Sequence, residues 1–77
     1  MTMYKTGDKV LIKSYQWFKE NANIYGTVLN LNGADMHREM SRYCGKILTI
    51  EKNYQWSYKM FENSHIWTDG MIEKKIK

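Results

Sequence analysis

The side chains best suited to binding chemistry are aromatic rings that alternate with lysines along the chain. The rings are Trp17, Tyr54, Trp56, Tyr58 and Trp67. Aromatic faces can stack on nucleic acid bases or on proline-rich peptides. Core packing is the competing interpretation, and it is favoured for Trp67 on a final strand. Trp56, in or beside a turn, is equally compatible with an exposed contact, because Trp often serves as an anchor at interfaces.

Lysines occupy strand positions that can point outward near these rings. They are Lys9, Lys13, Lys46, Lys52 and Lys59. A surface on which ammonium groups meet phosphates while rings stack on bases would bind a nucleotide or a single strand. Lysines on the outer face of a small barrel also prevent strand edges from pairing with other chains. This structural role is the favoured interpretation.

Arg38 and Arg42 lie four residues apart on a predicted helix, with His37 beside them. Two guanidinium groups on one helical face can grip a phosphate or a carboxylate. A solvated helix face is the alternative. The predicted ligand-binding set comprises Trp17, Tyr54, Trp56, Tyr58, Trp67, Arg38, Arg42, Lys13 and Lys59.

Residues capable of metal binding or nucleophilic catalysis are few. Cys44, His37 and His65 lack the paired spacing of a structural zinc site, and no third group is evident that would orient a thiol–imidazole pair. Asp69 and Asp8 each adjoin a glycine, so we interpret both as turn residues that accept backbone N–H groups. The sequence therefore predicts no catalytic residue, no metal, no cofactor and no enzymatic activity.

Period-two alternation of apolar and polar residues predicts the strands that must position these groups. It is clearest around Val10 and Ile12, and again around Leu48 and Ile50. Asn32-Gly33 is a strong turn dipeptide, and residues 62–65 predict a second turn. The predicted strands are 9–13, 27–29, 46–52, 54–60 and 66–68.

Two helical segments are predicted between the early and late strands. Ser14 is a favourable N-cap for a short helical turn over residues 14–21. Asp35 is the predicted N-cap of an amphipathic helix of about two to three turns that ends at Gly45. Its apolar positions, spaced i, i+4 and i+7, are Met36, Met40 and Tyr43.

These elements predict a mainly β fold with a small α+β character. We expect a five-stranded, partly open SH3-like barrel with one or two short helices inserted, and an OB-like barrel is the alternative. The opening segment 6–13 and the closing segment 66–71 indicate a sheet whose first and last strands meet. The chain is predicted to be a single domain over residues 1–77, with a frayed tail over 73–77.

Composition limits the class of protein further. The 77 residues are 43% hydrophobic and 14% aromatic, which is too apolar for a disordered chain. The single Cys44 excludes an intramolecular disulfide, and no stretch reaches the ~18 apolar residues of a membrane span. We therefore expect a soluble cytoplasmic protein without a membrane partner. The net charge of +4 weakly favours an anionic partner, and part of that excess lies in residues 73–77.

Four motifs carry a resemblance over residues 6–72. They are Gly7-Asp8-Lys9-Val10, Met-x-x-x-Met-x-x-Tyr at 36–43, Gly45-Lys46-x-x-Thr49-Ile50 and Trp67-Thr68-Asp69-x-Met71. In this order they resemble short uncharacterised proteins of bacteriophages and prophages of Gram-positive bacteria, which look like single SH3-like barrels. This chain has Gly70 where an acidic residue is common in that pattern.

The resemblance implies an accessory protein that binds and inhibits a host factor, including host defence systems, in the bacterial cytoplasm. Combined with the aromatic content and positive charge, it predicts capture of an anionic, nucleotide-type ligand. The alternatives are a protein–protein inhibitor of a host defence enzyme, similar to an anti-CRISPR protein, and a nucleic-acid-binding accessory module. An unpaired strand edge also makes a homodimer possible.

Overall fold

The computed structural model describes residues 4–77, so the first three residues of the predicted domain lie outside the described part. The fold is mainly β, as predicted, with short helical segments between strands. The elements are β1 Lys9–Ile12, α1 Tyr15–Asn21, β2 Val28–Leu31, β3 Ala34–Met36, a first 3-10 helix Arg38–Tyr43, β4 Ile47–Asn53, β5 Tyr58–Met60, β6 Ile66–Trp67, a second 3-10 helix Asp69–Met71 and β7 Ile72–Ile76.

Five of these strands form one antiparallel sheet in the order β6-β5-β4-β1-β7, which curls into a half-barrel. The chain runs β4, β5, β6 as consecutive hairpins, as the sequence predicts. Strands β2 and β3 pair separately as a two-stranded hairpin. Everything from α1 to the first 3-10 helix is thus inserted between the neighbouring strands β1 and β4.

The core lies on the inner face of the curled sheet. The alternation predicted for β1 is confirmed, because Val10 and Ile12 are buried while Lys9 is exposed. Leu48 and Ile50 are buried on β4 in the same way. Helix α1 also begins as predicted, with the Ser14 hydroxyl oxygen accepting a hydrogen bond from the Trp17 N–H at 3.0 Å. The inserted elements close the core with Phe18, Val28, Met36 and Met40.

The predicted helix from Asp35 to Gly45 is wrong in its first part. Asn32 and Gly33 have φ of +54° and +93°, which suit a two-residue hairpin turn, and the chain continues as β3. Asp35 caps no helix; its Oδ1 accepts a hydrogen bond from the Asn30 N–H at 3.1 Å across the hairpin. The true N-cap of the first 3-10 helix is His37.

The apolar side chains of this segment nevertheless face the core. Met36 is buried from β3, and Met40 is buried from the first 3-10 helix. Residues three apart eclipse one another in a 3-10 helix, so Tyr43 follows Met40 onto the inner side. There Tyr43 packs edge-on against Trp67, with ring centroids 5.9 Å apart.

The first and last strands of the sheet meet, but the prediction that strand 66–68 is the one that meets the first strand is wrong. Strand β7 pairs antiparallel with β1, whereas Ile66–Trp67 lies at the opposite edge of the sheet. Residues 73–77, predicted to be a frayed tail, therefore lie mostly within β7. The alternation is weak there because charged residues fill most positions. Pairing with β7 nevertheless satisfies the backbone groups on the outer edge of β1.

Candidate binding cleft around Trp56

The turn between β4 and β5 presents the most exposed Trp of the described chain. The predicted strand 54–60 begins only at Tyr58, because residues 54–57 form this turn. The Asn53 Oδ1 accepts a hydrogen bond from the Gln55 N–H at 2.7 Å, and the Tyr54 N–H donates to the Ser57 carbonyl oxygen at 2.9 Å. Trp56, at the tip, is 72% exposed. These two hydrogen bonds therefore hold the turn in shape, while the Trp56 ring stays exposed to solvent.

Trp56 and Asn32 line two concave spaces, which together we call the Trp56 cleft. The larger has a volume of about 400 Å³ and is lined by hairpin residues 32–34, by Trp56 and Ser57, and by Ile66 and Thr68. The smaller has a volume of about 250 Å³ and is lined by Asn32, Gln55, Trp56 and Asp69. The cleft thus joins the tips of two hairpins to the segment that follows β6.

Close contacts fix the β2–β3 hairpin against the far side of the cleft. Thr68 is buried, and its hydroxyl donates a hydrogen bond to the Leu31 carbonyl oxygen at 2.7 Å. Next to it, a Cβ added to Gly70 would lie 2.6 Å from the Asn32 Oδ1. The absence of a side chain at Gly70 lets the Asn32 amide sit directly on the backbone. The cleft is consequently preformed rather than open to free hairpin motion.

Asp69 supplies the acidic side chain of the cleft. Its Oδ1 accepts a hydrogen bond from the buried Tyr58 hydroxyl at 2.5 Å, and the Tyr58 oxygen in turn accepts one from the Tyr4 N–H at 3.2 Å. The pKa of Tyr4 is raised, first because partial burial disfavours its charged form and second because the Asp69 carboxylate is negative. Tyr58 thus fixes the orientation of a carboxylate at the edge of the cleft.

Only part of the predicted aromatic set reaches this surface. Trp56 forms the cleft, and Tyr54 is exposed in the same turn. Tyr58 and Trp67 are fully buried in the core, which corrects their placement on a ligand-binding surface. The Trp67 indole N–H donates to the Asn63 Oδ1 at 2.9 Å, so its polar group is satisfied internally. Trp17 lies half-buried on α1, outside both spaces.

The lysines that were predicted to bind a ligand do not lie together at the cleft. Lys13 Nζ lies 3.5 Å from Glu73 Oε1 and 5.6 Å from the centroid of the Trp17 ring. Lys59 Nζ lies 3.7 Å from Glu51 Oε1. No lysine or arginine lines either space. The remaining candidates, exposed on their strands or loops, are Lys9, Lys46 and Lys52.

Arg38 and Arg42 do not form the predicted two-pronged grip on one helical face. A 3-10 helix has three residues per turn, so residues four apart are separated by about 120° around its axis. The Arg38 side chain instead lies against Gly26, where an added Cβ would be 3.1 Å from the Arg38 Cδ. Arg42 is exposed on the first 3-10 helix. The two arginines therefore do not share one face of this helix.

The other residues considered for chemistry lie apart from the cleft. Cys44 is half-buried at the end of the first 3-10 helix, and burial raises the pKa of its thiol. His65 packs edge-on against Tyr43 and Trp67. Between residues 4 and 77 there is no group of three or more His, Cys, Asp or Glu side chains able to hold a metal ion. Over the same range, every helix is too short or too polar to cross a membrane.

Several cleft residues were not predicted from the sequence. The sequence predicts Asn32 and Gly33 only as turn residues, and it predicts Asp69 only as part of a turn. It makes no prediction for Gln55. The positive φ values of Asn32 and Gln55 mark them as turn tips, but they come together only through the tertiary fold. The one sign of this cleft in the sequence is that an Asn-Gly turn and a second turn carrying a Trp both occur.

Comparisons of this chain with protein family models, with curated proteins and with solved structures found no match.

Proposed function

We propose that this chain is a non-enzymatic binding module in which the Trp56 cleft holds a segment of a protein partner. The observation that carries the proposal is Trp56 itself, an aromatic side chain 72% exposed on a hydrogen-bonded turn that lines two concave spaces. Trp is the residue type most enriched among those that dominate binding energy at protein interfaces. A preformed cleft also lowers the ordering cost of association.

We further propose that the half-barrel is of SH3-like type. Support comes from five sheet strands, from the pairing of β1 with the last strand, and from the helical insertion between β1 and β4. In small barrels of this kind, ligands often contact loops and adjoining strands, and the Trp56 cleft is built from such parts. The long insertion supplies one wall of the cleft through the β2–β3 hairpin.

The partner class follows from the charges of the cleft. Proteins that bind anionic nucleotides commonly place cationic side chains around the phosphates, because charge-assisted hydrogen bonds are the strong ones. The cleft has one carboxylate, Asp69, and no cationic side chain. This arrangement favours the protein–protein hypothesis over the nucleotide and nucleic acid hypotheses, both of which remain predictions. Inhibition of a host defence enzyme in the bacterial cytoplasm is the corresponding biological proposal, and it rests on the resemblance to phage proteins.

A displayed random-peptide library tests whether the cleft binds protein segments. We expect selection against the wild-type protein to enrich peptides whose affinity falls at least about tenfold in Trp56→Ala, since buried Trp anchors contribute upwards of 1.4 kcal/mol. The matched control is Phe61→Ala, which removes another exposed ring, 63% accessible, beyond the opposite end of β5. Peptides that bind Trp56→Ala and the wild type equally would contradict the proposal.

Target capture connects that binding to a biological role. A stoichiometric protein retained from a Gram-positive host lysate by the wild type, and lost with Trp56→Ala but not with Phe61→Ala, would identify the partner. Size-exclusion chromatography with light scattering on the same samples tests the homodimer prediction. A dimer that persists in Trp56→Ala would place the self-contact elsewhere on the surface.

A further inference from the structure

The two halves of the Trp56 cleft differ in chemistry. The larger space is lined by small, apolar and uncharged polar side chains, whereas the smaller one has Asp69 and two carboxamides around the same indole. We infer that the smaller space is a pocket for the cationic head group of a lysine or arginine side chain on the bound partner. This inference rests on the proposed function and specifies what the cleft recognises.

Among residues 4–77, no lysine, arginine or histidine forms an ion pair with the Asp69 carboxylate. The ion pairs found within residues 4–77 join Lys13 to Glu73, Lys59 to Glu51 and Lys75 to Asp8. Asp69 is held instead by the Tyr58 hydroxyl, a neutral donor that occupies one acceptor position on Oδ1. A carboxylate offers about four lone-pair positions, so capacity remains for N–H donors of a ligand. The charge of Asp69 is therefore oriented and not neutralised by an ion pair.

Two of the other three lining residues suit the same ligand. Trp is the best aromatic partner for an ammonium or guanidinium group, with attraction extending to roughly 6 Å from the ring centroid. Gln55 carries a side-chain carbonyl oxygen that can accept a hydrogen bond from such a group, while the Asn32 Oδ1 lies against Gly70. An anion would meet the negative face of the indole and the carboxylate together, which is unfavourable on both counts.

The size of the pocket also fits. A volume of about 250 Å³ has room for a guanidinium or ammonium group and its last methylenes. The backbone of the partner would then continue past Trp56 toward the larger, less polar space. The Trp56 indole would thereby contact both the charged end of one basic side chain and the apolar part of the partner next to it.

The test uses four capped amino acids as probes, namely the N-acetyl methylamides of lysine, arginine, norleucine and glutamate. Each is titrated into the ¹⁵N-labelled protein while the Trp56 indole N–H and the Gln55 and Asn32 side-chain amides are followed by NMR. We expect saturable shifts with the lysine and arginine probes and much weaker ones with norleucine, which lacks the charge. Asp69→Asn, whose amide oxygen can still accept from Tyr58, should weaken the basic probes by about threefold to tenfold.

The outcomes separate this inference from the function on which it rests. No response of the Trp56 indole to the basic probes, or equal responses to norleucine or glutamate, would overturn the pocket assignment. If library peptides still require Trp56 but contain no basic residue, the binding module stands and the cationic pocket fails. If Asp69→Asn does not give a native-like spectrum, the comparison of lysine with norleucine on the wild-type protein still decides the matter.

Discussion

At the scale of single residues, Gly70 and Asn32 determine how closely the β2–β3 hairpin approaches the end of the sheet. The Asn32 side chain occupies the space that a Cβ at position 70 would need, with 2.6 Å between them, and Leu31 lies 3.3 Å away. Any side chain at position 70 would therefore require a different placement of Asn32. Residues 32 and 70 are thus expected to be energetically coupled.

Gly70→Ala is predicted to destabilise the protein by about 1–2 kcal/mol, because the added methyl group overpacks the contact with Asn32 and Leu31. Asn32→Gly keeps the left-handed backbone of the turn, where φ is +54°, and removes the obstructing amide. The double variant should therefore lose less than the sum of the single losses, by at least ~0.5 kcal/mol. Urea denaturation of all four proteins measures this coupling, and strict additivity would contradict it.

Asp8 is a second residue whose surroundings give a measurable expectation. Its Oδ2 accepts a hydrogen bond from the Lys5 N–H at 2.9 Å, and its Oδ1 lies 3.5 Å from Lys75 Nζ on β7. The backbone hydrogen bond is the largest cause that lowers the pKa of Asp8 below 3.8, with Lys75 acting in the same direction and partial desolvation opposing both. Folding therefore favours the ionised form of this carboxyl group.

Because the pKa of Asp8 is lower in the folded than in the unfolded state, its stabilising contribution is present above the unfolded value of 3.8 and is lost as pH falls through the folded value. Asp8→Asn should accordingly flatten the fall in unfolding free energy as the pH drops below the unfolded value of 3.8 and through the lower folded value. Lys75→Ala should flatten it less, because the Lys5 hydrogen bond remains. Identical acid-side slopes in wild type and Asp8→Asn would refute the assignment.

At the scale of elements, β7 determines whether β1 is an interior strand or an edge. It pairs with β1 from Ile12↔Ile72 to Lys9↔Ile76, with an irregularity between Leu11 and Ile12. Without residues 73–76, the outer backbone groups of β1 from Lys9 to Leu11 would face solvent, and only the pairing of Ile12 with the buried Ile72 would remain. The segment that composition marks as a tail is thus an integral part of the sheet.

Deleting residues 73–77 is predicted to reduce the unfolding free energy by roughly 2–4 kcal/mol, since several backbone hydrogen bonds at about 0.5–1.5 kcal/mol each are lost. Deleting Lys77 alone, which lies beyond β7, is the control and should have little effect. Thermal and urea unfolding measure both variants. Equal stability of the two would mean that the terminal segment is frayed in solution.

The elements also show what a single sequence can and cannot reveal. Strands β1 and β4 were predicted to within a residue at each end, because alternating burial on a one-sided sheet imposes a period of two. The segment after Asn32-Gly33 was misassigned because Met36, Met40 and Tyr43 satisfy a helical spacing as well as a strand followed by a 3-10 helix. Only the tertiary pairing of β3 with β2 decides between the two.

The cleft was harder to predict than the sheet, for a physical reason. Trp56 was recognisable as a turn residue, but its neighbours Asn32 and Asp69 lie far from it along the chain. Periodicity reports only which side of an element is buried, and it carries no information on which turns meet. Tyr58 and Trp67 show the same limitation, because an aromatic residue in a strand has the same local pattern whether its ring faces the core or a ligand.

At the scale of the whole molecule, the positive charge is spread over the surface rather than gathered at one site. Lys13, Lys59 and Lys75 each face a carboxylate on a neighbouring residue or strand. Exposed charges separated by more than the ~8 Å screening length at physiological salt act nearly independently. The net charge of +4 therefore provides a weak, diffuse attraction for anions and leaves the acidic character of the cleft unchanged.

This distribution gives opposite expectations for the nucleotide and protein hypotheses in one thermal-shift experiment. A ligand present at 100 times its dissociation constant adds about 2.7 kcal/mol, and each kcal/mol raises the midpoint of so small a domain by roughly 4–8 °C. With no cation lining the cleft, we expect no such rise from mono-, di- or cyclic nucleotides or short oligonucleotides at either of two salt concentrations. A rise with one nucleotide that Lys13→Ala or Arg42→Ala abolishes would reverse the assignment, since it would require those separate cations to converge on a ligand. A rise that Trp56→Ala alone abolishes would keep the cleft as the site but make its ligand anionic.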